Sequence, residues 1–427
     1  MGTTSSTSAP SKHARHFVTT LPLLNERGIN LLAIDFDMTI LDCHTGGLAK
    51  LRGFDGAADV ATHVRPFFAA LIASAPLHGL AVAVVTFSGE IELIRQVLQI
   101  AVGEEAAAKV LICGADGSWD RRQPTAAAAK SLSHEGLDWR TPAQLSQGKN
   151  PWLANVWEKL ASQAEGQGGE RYCGPGRTVL IDDDINNIRA AREIGCSALW
   201  FNPTSGDGVG GDDAAEDALL CDGLDQLAAT RRLLFLDVDG VLNSGESRAP
   251  GRDAGPDWDA PQPAMLASLA WVVKRTAAEI VVSSTWRLQD EQYERLRQAL
   301  AAHGLRVVGA TDDLSTTMRH DRPDEIVQWV VAANGMANGT AGGDDDGEGP
   351  AAGGAKQRGR RPARGERQAE PAWVAIDDMD LTTMNPTRMP STHFVRTDDR
   401  VGLLPAKAVE AADKLLAAAV AQLPRLQ

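Results

Sequence analysis

Short apolar runs that end in polar or acidic residues alternate along the chain with stretches in which apolar positions recur every three or four residues. The first pattern is typical of buried β-strands, and the second is typical of helices that cover a sheet. This alternation predicts an α/β fold in which a parallel sheet is sandwiched by helices. In the first half it predicts strands at Leu31–Phe36, Leu80–Thr86, Val110–Cys113, Thr178–Ile181 and Ser197–Phe201, with helices at 65–74, 90–100, 151–163 and 186–194.

The alternation begins again in the second half, after a polar stretch rich in glycine and aspartate. It predicts strands at Leu233–Val238, Glu279–Ser283, Arg306–Val308, Trp373–Ile376 and His393–Val395, with helices at 264–275, 291–303, 324–332 and 407–421. We therefore expect two Rossmann-like domains, at 25–203 and 230–425, joined by a linker at 204–229. Two segments are expected to be disordered: a leader at 1–24, which opens on a Ser/Thr-rich stretch, and a Gly-rich, acidic and then Arg-rich insertion at about 334–370.

Composition narrows the classes of protein that this chain fits. The 427 residues carry a formal net charge of −14, so there is no global attraction to nucleic acid or to an anionic membrane, and any bound phosphate must be neutralised locally. The five cysteines are far apart and form no C-x-x-C pair, which argues against a disulfide framework and against a zinc site. The chain contains no run of 18 or more apolar residues, so no membrane span is predicted. We expect a cytoplasmic protein, and the leader is also compatible with an organelle-targeting peptide.

An acidic pair ends the first predicted strand of each half. The first strand reads LLAIDFDMTIL, with Asp35 and Asp37, and its counterpart reads LLFLDVDGVLN, with Asp237 and Asp239. Open α/β sheets bind ligands at the carboxyl ends of their strands. Two carboxylates there repel each other unless a cation joins them, so each pair predicts a hard metal ion with oxygen ligands.

Two further positions match between the halves in order, residue type and spacing. They are a hydroxyl that ends a later strand, Thr86 or Ser283, and an acidic pair that ends another, Asp182-Asp183 or Asp377-Asp378. The hydroxyl follows the first aspartate by 51 residues in one half and by 46 in the other, and the acidic pair follows it by 147 and 140. Agreement at three points indicates that the two halves share one architecture.

These motifs carry a resemblance to a known superfamily. The D-x-D-x-T at 35–39, with Thr86, Lys149 and Asp182-Asp183, resembles the four motifs of the haloacid dehalogenase-like (HAD) superfamily over roughly residues 25–203. In the second half, LDVDGVLN and IVVSSTWR are similar to the HAD domain of Swiss Army Knife RNA-repair proteins, over roughly residues 230–425. The resemblance implies two HAD-type phosphatase domains in tandem.

The residue types also indicate the chemistry. Asp35 is the expected nucleophile, which would form an aspartyl-phosphate, and Asp37 is the expected acid and base, which would protonate the leaving oxygen and later deprotonate water. Thr86 would hydrogen-bond a phosphoryl oxygen, and Lys149 would place a positive charge beside the nucleophile. A magnesium ion held by Asp35, the Asp37 carbonyl and Asp182 or Asp183 would offset charge on the transferring group. The corresponding candidates of the second half are Asp237, Asp239 and Ser283, with Asp377 and Asp378 at the metal.

The second half departs from the motif pattern at the lysine. The only lysine between Ser283 and Asp377 is Lys356, which lies inside the predicted insertion, so Arg322 is the expected substitute and Arg319 a weaker one. Ser284 and Thr285 are alternatives to Ser283 as the phosphate ligand. Three features keep two interpretations each: His44 either contacts substrate or has no role, Trp286-Arg287 either bind substrate or pack, and the Arg-rich Lys356–Arg367 either contacts an RNA backbone or is a solvated tether.

The leading functional expectation is magnesium-dependent hydrolysis of phosphomonoesters by at least the first domain. The alternative is a protein that binds or scaffolds phosphorylated ends without turnover, especially through the second domain. Dehalogenases lack the second aspartate of D-x-D, and a mutase would need a cap over its substrate. The intervals around Thr86 leave room for a flap but not for a full cap domain, so we expect a phosphate on a macromolecule, and a nucleic-acid end before a protein.

Overall fold

Two five-stranded parallel sheets, each flanked by helices, make up the core of this computed structural model. The structure describes residues 12–115, 148–165, 173–202, 213–245, 260–314, 321–336 and 370–423. The strand order is β3-β2-β1-β4-β5 in the first sheet and β8-β7-β6-β9-β10 in the second. In each sheet the first strand in the chain lies at the centre, with the next two on one side and the last two on the other, so the two sheets have the same topology. The predicted α/β fold with two Rossmann-like domains is confirmed.

All ten predicted strands are present, with ends that shift by one or two residues. The strands are β1 Leu31–Ile34, β2 Ala81–Val85, β3 Val110–Cys113, β4 Thr178–Asp182, β5 Ser197–Trp200, β6 Arg232–Leu236, β7 Glu279–Val282, β8 Val307–Ala310, β9 Ala372–Asp377 and β10 Phe394–Arg396. The helices of the first domain are α1 Lys12–Glu26, α2 Ala57–Ala61, α3 Pro66–Ser74, α4 Ile91–Val102, α5 Glu104–Ala108, α6 Asn150–Glu165, α7 Ile185–Glu193 and α8 Asp213–Ala229. Those of the second are α9 Pro263–Thr276, α10 Asp290–Ala302, α11 Arg322–Met336, α12 Leu381–Met384 and α13 Pro405–Ala421.

The central strand of each sheet is apolar on both faces because helices cover both sides. In β1, Leu32 and Ile34 face one core cluster, whereas Leu31 and Ala33 face another. In β6 the residues likewise alternate between two clusters. Side chains of successive strand residues point to opposite faces, so a strand buried on both sides must be a continuous apolar run. This is why the strands could be read from the sequence.

The predicted linker and leader are both corrected by the structure. Residues 213–229, placed in the linker, form helix α8, and its Leu220, Leu224 and Leu227 are buried in the core of the first domain. Residues 12–24, placed in the disordered leader, belong to helix α1, which packs against α8. The hydroxyl of Thr20 on α1 donates a 2.6 Å hydrogen bond to Asp225 on α8. Both segments therefore belong to the first folded unit, because each has an apolar face that the sheet-covering helices bury.

The two sheets meet through the amino ends of their strands. The guanidinium of Arg177, just before β4, donates to the carbonyl of Lys274 in α9 at 2.6 Å. That of Arg232, at the start of β6, donates to the carbonyls of Thr276, at 2.8 Å, and Gly176. Arginines at a helix carboxyl end satisfy its free carbonyls and oppose its dipole. These arginines therefore link the two domains near the amino ends of β4 and β6.

Several sequence predictions concern residues outside the described ranges. They are the insertion at about 334–370 beyond the end of α11, the Arg-rich Lys356–Arg367 within it, Arg319, and most of the predicted flap before Lys149. Between β1 and β2, the chain consists of turns, loops, three short helical turns and the helices α2 and α3. Within the described ranges, no helix combines the length and apolar character needed to cross a membrane.

Candidate active sites

Three carboxylates meet at the carboxyl end of the first sheet. Asp35 directly follows β1, Asp182 ends the neighbouring strand β4, and Asp183 comes next. One carboxylate oxygen from each lies within 4.8 Å of the other two. The amide of Phe36 donates to Asp35 at 2.7 Å, and the side chain of Asn187 donates to Asp182 at 3.0 Å. The cluster is therefore fixed by backbone and side-chain donors, and it offers an all-oxygen ligand set to a divalent cation.

Lys149 bridges two of these carboxylates. Its Nζ lies 2.5 Å from Oδ1 of Asp35 and 2.8 Å from Oδ2 of Asp182, and the side chain is only 1% exposed. The lysine immediately precedes α6, after Gly148 in a left-handed conformation with φ of 51°. A Cβ at Gly148 would lie 2.9 Å from Oδ1 of Asn187, so glycine allows the close approach that brings Lys149 to the cluster.

Burial and mutual repulsion shift the acid–base equilibria of this cluster. Burial raises the pKa of Asp35 well above its ordinary value, and the charge of Asp182 raises it further, against the lowering effect of Lys149. Burial and Asp182 also raise the pKa of Asp183. Burial alone would lower the pKa of Lys149, but Asp35 and Asp182 outweigh it and raise that pKa, which keeps the ammonium charged. One buried cation for three carboxylates leaves excess negative charge, which a bound metal ion would offset.

Asp37 lies beside this cluster and is held by a separate set of donors. Its Oδ1 accepts from the amide of Thr45 at 2.9 Å and from the Thr45 hydroxyl at 2.7 Å. Its Oδ2 accepts from the amide of Gly46 at 3.2 Å and lies 3.0 Å from Nδ1 of His44. His44, expected either to contact substrate or to have no role, therefore contacts Asp37, the residue expected to act as both acid and base. The Asp37 side chain is not part of the three-carboxylate cluster, so its predicted metal contact would rest on the backbone carbonyl alone.

A tight turn separates Asp37 from the loop that holds it. Met38 has φ of 60°, and the corresponding residue of the second domain, Gly240, has φ of 70°. A left-handed conformation is uncommon for methionine, so both domains keep the same backbone turn although only the second has a glycine there.

Thr86 lies just after β2, is buried, and accepts a 3.1 Å hydrogen bond from the amide of Ser88.

The second domain repeats the arrangement. Asp237, Asp377 and Asp378 place carboxylate oxygens within 4.8 Å of one another at the carboxyl ends of β6 and β9. Arg322 bridges the first two, with its Nη1 at 3.1 Å from Oδ1 of Asp237 and at 2.7 Å from Oδ2 of Asp377. The residue predicted as the substitute for lysine thus lies where Lys149 lies in the first domain.

Burial and mutual repulsion also raise carboxylate pKa values in the second site. Burial and Asp237 raise the pKa of Asp377 well above its ordinary value, and they also raise that of Asp378. Burial opposes the charge of Arg322, but Asp237 and Asp377 together raise its pKa. This site therefore also combines three carboxylates with one buried cation.

Trp286 and Arg287, which follow β7, make different contacts. Asp239 accepts from the Asn243 amide at 3.0 Å and from the indole of the buried Trp286 at 3.1 Å. Arg287 donates to backbone carbonyls, among them Thr311 at 2.8 Å, and pairs with Glu325 at 2.8 Å. Trp286 therefore positions Asp239, whereas Arg287 links the loop after β7 to α11 through its ion pair with Glu325.

The hydroxyls after β7 differ in their environments. Ser283 is buried directly after the strand, as Thr86 is after β2, and its amide donates to Leu236 of β6. The Ser284 side chain is also buried and accepts from the Trp286 amide at 3.4 Å, which commits it to the turn. Thr285 is exposed. Of the three, Ser283 has the placement closest to that of Thr86.

Several contacts of these sites were not anticipated from the sequence. Thr45 and Gly46 hold Asp37, Asn187 holds Asp182, and Asn243 holds Asp239. The asparagines follow their aspartates by four or five residues, which is a readable spacing. Thr45 lies in an irregular loop, so no periodicity identifies it.

Comparison with known proteins bears on the second domain. Residues 233–341 match the family model described as the HAD domain in Swiss Army Knife RNA repair proteins. The match confirms the resemblance that LDVDGVLN and IVVSSTWR carry, and it covers β6 from its second residue, the loop with Trp286 and Arg287, and the whole of α11. No curated protein and no solved structure matches the chain. The match lies within the second domain, and both domains carry an acidic cluster at the carboxyl edge of the sheet.

Proposed function

We propose that this protein is a magnesium-dependent phosphomonoesterase that acts through an aspartyl-phosphate on phosphorylated nucleic-acid ends. The observation that carries the proposal is the bridge from Lys149 to Asp35 and Asp182, with Asp183 completing the acidic cluster. A buried cation beside a buried carboxylate is an arrangement that binds an anion and holds a nucleophile in position. The donors of the cluster are all oxygen, which fits Mg²⁺ better than zinc.

The metal would be held by Asp35, Asp182 and Asp183, with the Asp37 carbonyl as a further ligand. When bound, it would offset negative charge on the transferring phosphoryl group and on the buried carboxylates. The remaining chemistry belongs to the protein. Lys149 and Thr86 would bind phosphoryl oxygens, and the Phe36 amide would orient the Asp35 carboxylate.

The reaction would proceed in two displacements. A carboxylate oxygen of Asp35 forms a bond to phosphorus while the bond to the leaving oxygen breaks, and protonated Asp37 gives its proton to that oxygen. Asp37, now a carboxylate, then takes a proton from water, whose oxygen attacks the same phosphorus. The bond between phosphorus and Asp35 breaks, so inorganic phosphate leaves and Asp35 is restored. The donors from Thr45, Gly46 and His44 keep Asp37 in place through both steps.

Nucleic acid is the preferred substrate class for two reasons. Residues 233–341 match a domain of RNA-repair proteins. In addition, the described chain between β1 and β2 has no room for a cap domain beyond its loops and the helices α2 and α3. A site that this interval leaves uncovered is best shielded from water by a macromolecule that covers it on docking.

The second domain supports a further candidate function, the binding of a phosphorylated end with slow turnover or none. Its buried cation is Arg322 instead of a lysine. A guanidinium forks onto phosphate and remains charged, which favours tight binding, but its planar geometry differs from that of an ammonium at the same place.

The experiment uses the full chain with one site disabled at a time. Asp35→Asn leaves only the second site, Asp237→Asn leaves only the first, and the double variant is the blank. With Mg²⁺, we expect release of phosphate from oligoribonucleotides phosphorylated at the 5′ or 3′ end by the wild type and by Asp237→Asn. Asp37→Asn is expected to accumulate a phosphoenzyme that mass spectrometry detects on the peptide with Asp35.

Two outcomes would contradict the proposal. Full activity of the double variant that carries both Asp35→Asn and Asp237→Asn, with an unchanged circular dichroism spectrum, would show that neither aspartate is the nucleophile. A kcat/KM for glucose 6-phosphate or a free nucleotide that exceeds that for every oligonucleotide and phosphopeptide by tenfold would refute the substrate class. Phosphate release by Asp237→Asn but not by Asp35→Asn would assign hydrolysis to the first domain and binding to the second.

A further inference from the structure

Phe87 is an exposed aromatic ring at the mouth of a charged site. Among the nine phenylalanines of the chain, all of which are described, it is the only exposed one, at 46%. It directly follows Thr86, the hydroxyl expected to bind phosphate. Exposing a phenyl ring to water is unfavourable, and the mechanism proposed above makes no use of it.

The ring is held rigidly. It packs edge-to-face on Trp152, with ring centroids 5.1 Å apart, and the Trp152 indole donates to the carbonyl of Gly114 at 3.2 Å. The backbone after the ring is also fixed, because the Ser88 amide donates to Thr86 and the Ser88 carbonyl accepts from Ala115 at 2.9 Å. An aromatic platform that does not move loses little entropy when a flat ligand stacks on it.

The platform adjoins the atoms expected to bind phosphate. The ring centroid is 5.3 Å from Nζ of Lys149, the same atom that lies 2.5 Å from Asp35. A phosphate at Lys149 would therefore place the group esterified to it alongside the ring. In a nucleotide that group is a sugar with a base, and the base carries the π face that stacks on an aromatic side chain.

We infer that Phe87 stacks on the nucleobase next to the phosphate that the first site hydrolyses, and so selects a base-bearing end. This rests on the proposed function and adds to it a residue that determines specificity. A sugar phosphate offers no flat face to the ring. A docked protein would need an interface of about 1,000 Å² or more, and a single ring beside buried charges offers much less area, so a protein partner is not favoured.

The second domain has no aromatic ring at the equivalent position. The residue at the corresponding position, directly after the hydroxyl that follows the second strand, is Ser284, which is fully buried and commits its side chain to the turn before Trp286. Selection of a base through this position is therefore expected at the first site and not at the second.

The test compares matched substrates in the full chain with Asp237→Asn, so that only the first site turns over. Oligoribonucleotides with a 5′- or a 3′-terminal phosphate are made with a normal or an abasic terminal nucleotide. Phe87→Ala is expected to lower kcat/KM on the better base-bearing end by about tenfold or more and to leave the abasic counterpart within about twofold. Phe87→Tyr should retain activity. Leu77→Ala is the control, since Leu77 is 76% exposed but precedes β2 at the opposite edge of the sheet.

Equal losses on both kinds of end would overturn the inference, because Phe87 would then act only through Lys149 and Trp152. No loss on either would also overturn it and would favour a protein partner for the ring. If the wild type hydrolysed none of these substrates, the proposed function would fail by itself. The inference is then decided by fluorescence: a terminal 2-aminopurine beside the phosphate should be quenched on binding to Asp35→Asn with Mg²⁺, and much less when Phe87→Ala is added. Equal quenching, or none, would refute stacking.

Discussion

Arg322 in the second domain bridges the same two carboxylate positions that Lys149 bridges in the first. Each cation contacts the first aspartate of the D-x-D pair and the first aspartate of the later acidic pair, at distances of 2.5 to 3.1 Å. Both precede or begin a helix, α6 or α11, that packs on its sheet. Both sites therefore place a buried positive charge at this position, an ammonium in the first and a guanidinium in the second, and we expect that the site requires it.

Removal of the lysine charge tests this requirement. We expect Lys149→Met to abolish phosphate release at the first site and to lower the free energy of unfolding by about 3–5 kcal/mol in the presence of chelator, since buried carboxylates lose their partner. Magnesium should restore part of that stability. Urea denaturation followed by tryptophan fluorescence measures it. Lys109→Met is the control, because Lys109 forms an exposed pair with Glu105 that contributes less than about 1 kcal/mol. Equal stability of the two variants would contradict the role of Lys149.

Thr45 is expected to position Asp37. Thr45→Val removes the hydroxyl that donates to Asp37 at 2.7 Å and keeps the amide that donates at 2.9 Å. A hydrogen bond to a charged group contributes about 1.5–3 kcal/mol, so we expect kcat to fall about tenfold or more with little change in KM. Thr62→Val is the control, since the exposed Thr62 hydroxyl donates only to the carbonyl of Asp59. A change in KM alone would indicate a substrate contact instead of a positioning role.

Activity is expected to follow magnesium. Chelation should abolish phosphate release, and added Mg²⁺ should restore it, because the carboxylate clusters supply only oxygen ligands. Metal analysis of the purified active protein should show no stoichiometric zinc. One tightly held zinc per active domain would contradict the assignment, and so would full activity in excess chelator.

Cys43 is expected to be an unusually unreactive thiol. Burial, with the charges of Asp42 and Asp37, raises its pKa to about 12. At pH 8 only about one thiol in ten thousand is then a thiolate, the form that reacts with iodoacetamide. In chelator, its alkylation rate should rise about tenfold per pH unit up to pH 10, as followed by peptide mass spectrometry. A plateau near pH 9 would contradict the shift, and Asp42→Asn should increase the rate at pH 8.

The carboxyl-terminal residues of the strands were the easiest part of the structure to predict. A strand buried on both faces must be apolar throughout, so the first acidic residue after the run marks the edge of the sheet. Asp35, Asp182, Asp237 and Asp377 were located in this way. The motif resemblance implies a basic residue between Ser283 and Asp377, where the only lysine lies in the segment at 334–370. Arg322 was expected in its place because it lies just before a predicted helix, with Arg319 as the weaker candidate.

The parts that were missed depend on contacts between distant segments. Helix α8 consists largely of alanine, aspartate and leucine, and it follows a Gly- and Asp-rich stretch, so its composition resembled a linker. Helix α1 contains Pro22 and follows a Ser/Thr-rich stretch. Each helix buries its apolar face against the other and against the first sheet, and neither face has a partner that the local sequence reveals. Thr45 was missed because an irregular loop brings it back to Asp37.

The stability of the first domain is expected to depend on helix α8, in contrast to a linker. Leu224→Ala removes a side chain that is 0% exposed in the core of that domain, so we expect the free energy of unfolding to fall by about 2–5 kcal/mol. Leu219→Ala on the same helix is the matched control, because Leu219 is 71% exposed and its truncation should change stability by less than about 0.5 kcal/mol. Both variants are compared with the wild type by urea denaturation of the full chain. If α8 were only a tether between the domains, the two substitutions would have equally small effects, and that result would contradict its place in the core.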